Sequence, residues 1–367
     1  MIEEKYLIAF LLIFFCIAVF FSFLINWLFL KFSFNLGSRN KNLAQERWST
    51  KVKPAIGGIS FFIVFLISIS VIGTIPREAQ TFLDKKLIGL MAASSLGFLL
   101  GLADDAYNTN PLVKFIGQLS CAYILIVSDV YIRVFNIDSL DYLITVLWVI
   151  GLMNSINMLD NMDAITASVS ACIIVGMLTV ILSTGYINAN LYLVMLVGVL
   201  GSLMGFLYFN WHPSKIYMGD TGSQFLGVFL AASSIIFIWG FRDYPKSIFE
   251  IKQFIVPMLL FIVPLIDTTT VTIRRLLRKQ SPFVGGKDHI THHLAYLGLT
   301  DRQVALVLLG ISLLSIPIVY LLVTGKIKWN LIVNGLCIAY FFLMFIIIQF
   351  LYDKGKKKYL SNTGNRT

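Results

Sequence analysis

The chain has too little charge to keep itself in water. Asp, Glu, Lys and Arg make up 13% of its 367 residues, against about a quarter in a soluble globular domain. Lipid must cover much of such a surface, and 57% of the residues are apolar. Cysteine is sparse and scattered. Cys16, Cys121, Cys172 and Cys337 each stand alone in an apolar run, with no CxxC spacing and no neighbouring His. That excludes a thiolate metal site or a disulfide framework and leaves four small buried hydrophobes. No polar stretch exceeds about 30 residues, and no internal repeat is visible, so a separate soluble domain is not expected. The amino end lacks the basic start of a cleaved signal peptide: it reads Glu3-Glu4-Lys5 before an apolar run of about 25 residues. The net charge of +10 is dispersed through short loops between apolar runs, so nucleic acid is not an expected partner.

What is present is apolar sequence in span-sized lengths. A membrane-crossing helix needs about 20 mostly apolar residues. Eleven runs qualify: Tyr6–Leu30, Ile56–Ile75, Leu87–Ala103, Leu112–Val127, Leu143–Leu159, Ala164–Leu182, Leu191–Phe209, Phe225–Phe241, Phe254–Ile273, Val304–Val323 and Leu331–Leu351. The runs are continuous rather than alternating, which favours helices over a barrel. The expected fold is an all-α, polytopic transmembrane helical bundle of about 11 spans, ten being the alternative count. Residues 1–351 are expected to form a single transmembrane domain and 352–367 a basic cytoplasmic tail. With the amino terminus outside, 19 Lys and Arg fall on the inner side and 10 on the outer. The positive-inside rule therefore sets the carboxyl terminus in the cytoplasm.

The polar residues that carry chemistry gather in the loops of that inner face. Asp104-Asp105 closes the third span, and two adjacent carboxylates at a membrane edge need a cation or water to offset their repulsion. Lys114 and Gln118 follow on one helix face. Asn154, Asn157, Asp160 and Asp163 recur every third residue, a polar stripe that fits either a cavity or a partner helix. Asn210, His212, Lys215 and Met218-Gly219-Asp220-Thr221-Gly222-Ser223 open the eighth span, where Asp220 reads as an N-cap or a metal ligand. Asp267 lies late in the ninth span, and after it come Arg274-Arg275 and Gly286-Lys287-Asp288-His289-Ile290-Thr291-His292-His293. With Lys and Arg beside the histidines and no Cys near, this loop suits phosphate better than zinc. Lys51, Lys53 and Pro54-Ala55-Ile56-Gly57-Gly58 precede the second span and read as a tight, close-packed start.

Together, from Lys51 to Leu294 and in this order, the clusters resemble the polyprenyl-phosphate N-acetylhexosamine-1-phosphate transferases, glycosyltransferase family 4. The likeness is to the initiating UDP-GlcNAc:undecaprenyl-phosphate GlcNAc-1-phosphate transferases. Ser49 stands where many members have His. Pro54-Ala55-Ile56-Gly57-Gly58 departs from the Pro-Thr-Met-Gly-Gly of the phospho-MurNAc-pentapeptide translocases, which makes that activity the second reading. His293 stands where the matching variant of the histidine loop has Arg.

The resemblance implies a bacterial inner-membrane enzyme, multi-pass, in which undecaprenyl phosphate attacks the β-phosphate of a UDP-N-acetylhexosamine and UMP leaves. It implies Asp104, Asp105 and Lys51 as catalytic residues. Lys114, Asn157, Asp160, Asp163, Asn210, Lys215, His289 and His292 would bind substrate, the two histidines at the donor diphosphate, with His293 more tolerant of change. Mg2+, with Mn2+ as a substitute, would sit on Asp220 assisted by Asp104. A homodimer is a candidate assembly, and a cell-envelope polysaccharide such as an O-antigen is the expected product line. From a different class, a secondary transporter remains the alternative, although transporter sites lie near the bilayer midplane and these acids lie at one face.

Overall fold

The structure is a computed structural model that describes residues 4–32, 53–74, 84–184, 190–239, 251–281, 286 and 288–364. Among the described residues every regular element is helical. The helices are α1 (Glu4–Phe32), α2 (Gly57–Thr74), α3 (Lys85–Tyr107), α4 (Pro111–Val127), α5 (Asp138–Leu159), α6 (Ile165–Thr184) and α7 (Asn190–Asn210). After them come α8 (Gly219–Ser234), which runs into a five-residue π-helical turn, then α9 (Lys252–Leu260), α10 (Ile262–Leu277), α11 (Ile290–Tyr296), α12 (Asp301–Val323) and α13 (Leu331–Gly364). The protein is thus an all-α, polytopic membrane protein.

Eight helices are long and apolar enough to cross a membrane, and a ninth span forms if the bent pair α9–α10 counts as one. The other two expected spans are the shorter apolar helices Gly57–Val71 and Pro111–Val127. At 1.5 Å per residue the latter reaches about 26 Å, just short of a hydrocarbon core of about 30 Å. The pair α9–α10 bends by 84°. Pro264 explains the break: it has no N–H to donate back to Leu260, so the ladder cannot run through. Helix α13 continues through the segment expected as a tail, as far as Gly364.

Helix α8 is the axis of the bundle. Every residue from Gly219 to Ser234 is buried, the polar first turns included. It packs against α3, α5, α2 and α6, while α1 lies on α7 and α12 on α6. Leu12, Ile13 and Phe20 of α1, Leu147 of α5, and Leu331 and Ile346 of α13 face outward. Lipid covers such faces.

Close backbone approach brings α8 to its neighbours. An ideal Cβ on Gly101 of α3 would lie 2.2 Å from the Asp220 carbonyl oxygen, and one on Gly58 of α2 would lie 2.2 Å from the Gly222 nitrogen. The segment before α2 is clasped to the segment before α8 by main-chain bonds. Tyr217 N donates to Pro54 O (2.9 Å), Gly57 N to Tyr217 O (3.0 Å) and Gly58 N to Met218 O (3.0 Å). The tight start expected from Pro54 to Gly58 is this clasp.

Candidate active site

Three carboxylates, from α3 and α8, meet at one end of the bundle. Asp104 and Asp220 are 6% and 7% exposed, and the Lys114 ammonium lies between them. Its Nζ donates to Asp104 Oδ2 at 2.7 Å and to Asp220 Oδ2 at 3.3 Å. Asp104 Oδ1 accepts from Thr109 N (3.0 Å) and Thr109 Oγ1 (2.6 Å). The other Asp220 oxygen, Oδ1, accepts from Asn157 Nδ2 at 2.8 Å, and the same amide also donates to Ser223 Oγ. Buried charge needs hydrogen-bond partners, and here α4, α5 and the turn before α4 supply them.

Asp105 has a different task. Helix α8 starts without a side-chain cap from its own N-cap residue, Met218. Asp105 Oδ2 reaches across from α3 and accepts from Thr221 N and Thr221 Oγ1, both at 2.8 Å. A carboxylate at a helix amino end satisfies an orphan N–H and complements the dipole. Gly219 has φ of +73°, and a Cβ there would sit 2.5 Å from the same Asp105 oxygen. Both reasons call for glycine. Asp220 is therefore a first-turn residue of α8 rather than its N-cap.

One turn further into the bundle lies an amide layer. Gln118 Nε2 donates to Asn154 Oδ1 (3.2 Å) and Gln224 Oε1 (3.1 Å), and Asn154 Nδ2 donates back to Gln118 Oε1 (2.9 Å). Lys114 and Gln118 on α4 thus match Asp220 and Gln224 on α8, both pairs spaced by four residues. The polar stripe on α5 faces this partner surface.

A second cluster hangs on Asp163. Its Oδ2 accepts from Ser214 N (3.0 Å) and meets His212 Nδ1 (3.0 Å), and its Oδ1 accepts from Ser214 Oγ (2.7 Å). Lys53 Nζ donates to Ser214 Oγ at 2.8 Å and lies 3.6 Å from Asp163. Burial works against the Asp163 charge, but the Ser214 donors, Lys53 and His212 hold its pKa below the ordinary carboxylate value. His212 also meets Asp301 Oδ2 at 3.3 Å, and its carbonyl accepts from Arg302 Nε at 3.0 Å. The ligand atoms of Asp163, His212 and Asp301 lie within 4.8 Å of one another, but Ser214 and Lys53 already hold both oxygens of Asp163. Asn210 is buried, accepting from Ala164 N and donating to Ile216 O. Lys215 is exposed, and Asp160 is half-buried at the end of α5.

The histidine segment is the third cluster. Arg275 grips Asp288 through Nε (2.9 Å) and Nη2 (2.6 Å). Asp267 of α10 accepts from Ile290 N (3.0 Å) and meets His289 Nδ1 (2.9 Å). Thr291 Oγ1 donates to Asn161 Oδ1 at 2.7 Å, which docks α11 on the turn that carries Asp160 and Asp163. His289, His292 and His293 are all buried. Burial, with the neighbouring cationic groups adding to it, pushes His292 down to about 3 and His293 to about 4.

Of the residues expected from the sequence, Asp104, Lys114, Asn157 and Asp220 come into direct contact, and Asp105 caps the same turn. Asp163 and Asn210 sit in the second cluster and His289 and His292 in the third, Lys215 is exposed, and Lys51 lies outside the described residues. Sequence reasoning missed Lys53, Ser214 and Asp301 as members of one network. Asp301 signalled only a helix start, through the Thr300–Gln303 capping box.

Buried carboxylates, amides and an ammonium are thus gathered at one end of a bundle of apolar helices. Residues 87–238 match the family model described as glycosyl transferase family 4. The chain is 30% identical over 267 residues, 70% of each chain, to a probable undecaprenyl-phosphate N-acetylglucosaminyl 1-phosphate transferase of Bacillus subtilis (strain 168). It is 26% identical over 278 residues, 70% of this chain and 69% of the relative, to a decaprenyl-phosphate N-acetylglucosaminephosphotransferase of Mycobacterium leprae (strain TN). A phospho-N-acetylmuramoyl-pentapeptide-transferase of Listeria monocytogenes serotype 4b (strain CLIP80459) is 24% identical over 336 residues, 86% of this chain and 96% of the relative. The chain belongs to glycosyl transferase family 4 and is a multi-pass membrane transferase.

Proposed function

We propose that this chain transfers N-acetylhexosamine-1-phosphate from a UDP-sugar, UDP-GlcNAc foremost, to undecaprenyl phosphate, releasing UMP and starting a cell-envelope polysaccharide. The observation that carries the reading is the Lys114 ammonium set between Asp104 and Asp220 at the end of the bundle. Both substrates are anionic and one has a tail that stays in lipid. Such a pair needs fixed charge at the membrane edge, and preorganised charge is the strongest lever on phosphoryl transfer. The polar end is taken to face the cytoplasm, following the Lys and Arg bias.

Asp220 and Asp104 are the residues that would hold Mg2+. Their hard carboxylate oxygens suit that ion, and the pair already draws in one cation. A bound Mg2+ would neutralise diphosphate charge and favour departure of UMP. The chain's own residues do the rest. Asn157, itself anchored on Ser223, orients Asp220, Thr109 orients Asp104, and Lys114 bridges the two carboxylates. The lipid phosphate has a second pKa of about 6, so it arrives largely dianionic and needs no strong base. His289 and His292 are assigned to the donor diphosphate, at the flank of the site.

The test is release of UMP by purified protein in nanodiscs, given undecaprenyl phosphate, Mg2+ and a panel of UDP-sugars. Activity with UDP-GlcNAc that vanishes without the lipid is the expected result. No UMP from any donor sinks the proposal, and release only from the UDP-MurNAc-pentapeptide donor selects the second reading.

A further inference from the structure

Helix α13 is longer than its membrane task requires. Its 34 residues reach about 51 Å at 1.5 Å each, against a hydrocarbon core of about 30 Å. The surplus is packed on the histidine helix. The ring of Tyr352 stacks on His293 with centroids 3.5 Å apart, and Tyr359 stacks on Tyr296 at 4.4 Å. Lys358 Nζ donates to Leu297 O at 2.9 Å, just past the carboxyl end of α11. A cation there satisfies an orphan carbonyl and suits the helix dipole. At Gly355 the two backbones nearly touch: an ideal Cβ would lie 2.2 Å from the His293 carbonyl oxygen.

The same stretch of α13 is moored to α10. Arg274 Nη2 donates to Gln349 Oε1 and pairs with Asp353 Oδ1, both at 2.9 Å, and its guanidinium lies 4.0 Å over the Tyr352 ring. Asp267 and Arg274 stand two turns apart on one face of α10. The first holds the start of α11, and the second holds the helix that holds its end. A helix of seven residues has little stability of its own, so these outside contacts set where it sits.

We propose that the end of α13 is a strut that fixes the histidine helix against the donor, with Tyr352 and Gly355 as positioning residues. The proposal rests on the reading that His289 and His292 serve the UDP-sugar. A methyl group at residue 355 meets backbone, which cannot rotate away, so α11 must shift and carry both histidines with it. Loss of the Tyr352 ring removes the stack on His293 and the seat of Arg274.

The experiment compares full-length wild type, Gly355→Ala, Tyr352→Leu, Tyr352→Phe and His289→Ala in nanodiscs. The readouts are KM for UDP-GlcNAc, KM for undecaprenyl phosphate, and hydrogen exchange at residues 290–296. Gly355→Ala and Tyr352→Leu should raise the donor KM by about tenfold, a difference of ~1.4 kcal/mol. They should leave the lipid KM unchanged and speed exchange in α11, and Tyr352→Phe should behave as wild type. If Gly355→Ala fails to accumulate, the two Tyr352 variants decide. Unchanged donor KM in Tyr352→Leu, or donor and lipid constants rising together, overturns the strut. A wild type inert on every UDP-sugar, or a fully active His289→Ala, overturns the functional reading beneath it and the strut with it.

Discussion

Asn157 sits where two roles compete. The family resemblance assigns it to the donor, whereas its amide is spent on Asp220 Oδ1 and Ser223 Oγ. A group that orients a metal-binding carboxylate affects metal affinity or activity by roughly 10–100-fold when removed. Asn157→Ala should therefore raise the Mg2+ concentration needed for half-maximal UMP release more than it raises the donor KM. The reverse order would return Asn157 to the donor. Asp220→Asn should lose activity that extra Mg2+ or Mn2+ does not restore, and a fully active variant would refute the metal assignment. Lys114→Met leaves Asp104 and Asp220 facing each other without their cation. Breaking a buried pair from one side costs about 3–5 kcal/mol, so its thermal midpoint should fall, and Mg2+ should recover more of it than in the wild type. At this scale the sequence was informative about residue type and silent about partner. The pair Asp104-Asp105 was visible as a unit, but nothing in adjacent letters says that one side chain turns to Lys114 and the other to the start of α8. That division depends on a crossing of α3 and α8 that joins residues 116 apart.

Helices α3 and α8 cross at Gly101, and the geometry there leaves no room for a side chain. Gly101→Ala should force the helices apart at the Asp220 carbonyl, lowering both the thermal midpoint and turnover. Retention of both would mean that the helices slide past each other freely. Helix α11 carries an acid-sensitive term. His292 and His293 titrate near 6.5 when unfolded but near 3 and 4 in place. The unfolded chain thus takes up protons that the folded chain refuses. Their contribution to stability is complete above about pH 6.5 and declines as pH falls toward 4, by up to ~1.4 kcal/mol per pH unit for each proton. His293→Phe keeps an aromatic ring against Tyr352 and should flatten part of the slope of thermal midpoint between pH 7 and 5. An unchanged slope would assign the acid sensitivity elsewhere. The bend between α9 and α10 was hidden in the sequence because Phe254–Leu265 is one unbroken apolar run, and Pro257 and Pro264 in it are common enough in membrane helices. The helical state of residues 352–364 was equally hidden. Its lysines read as a solvated tail, while the contacts that order it, from Tyr352 and Gly355, lie at a distance in sequence.

For the whole molecule, the bundle and the gathering of polar groups at one end were legible because both follow from composition along the chain. Apolar runs of span length recur, and the acids, amides and histidines fall in alternate connections between them. Among the described residues, the connections before α2, α6, α8 and α12 are joined by contacts, from Lys53 through Ser214 and Asp163 to His212 and Arg302, and from Asn161 through Thr291 to α11. Reporters fused after Leu351 and between Arg274 and Arg302 should accordingly read the same compartment, the cytoplasm. Access of a membrane-impermeant dye to either from the periplasm would invert the topology. The span count was less legible, because α2 and α4 are short for a bilayer and hydropathy alone does not say how a short helix is accommodated.

The clasp between Pro54–Gly58 and Tyr217–Met218 is built from peptide groups, which every residue brings. Alphabet changes at Ala55, Ile56 or Met218 leave its donors and acceptors in place, provided that the new side chain fits and is not proline. The first polar segment and the turn that bears Asp220 are therefore kept in step by the backbone itself. The surrounding side chains are left open to drift toward other sugars or lipids without the two segments losing register.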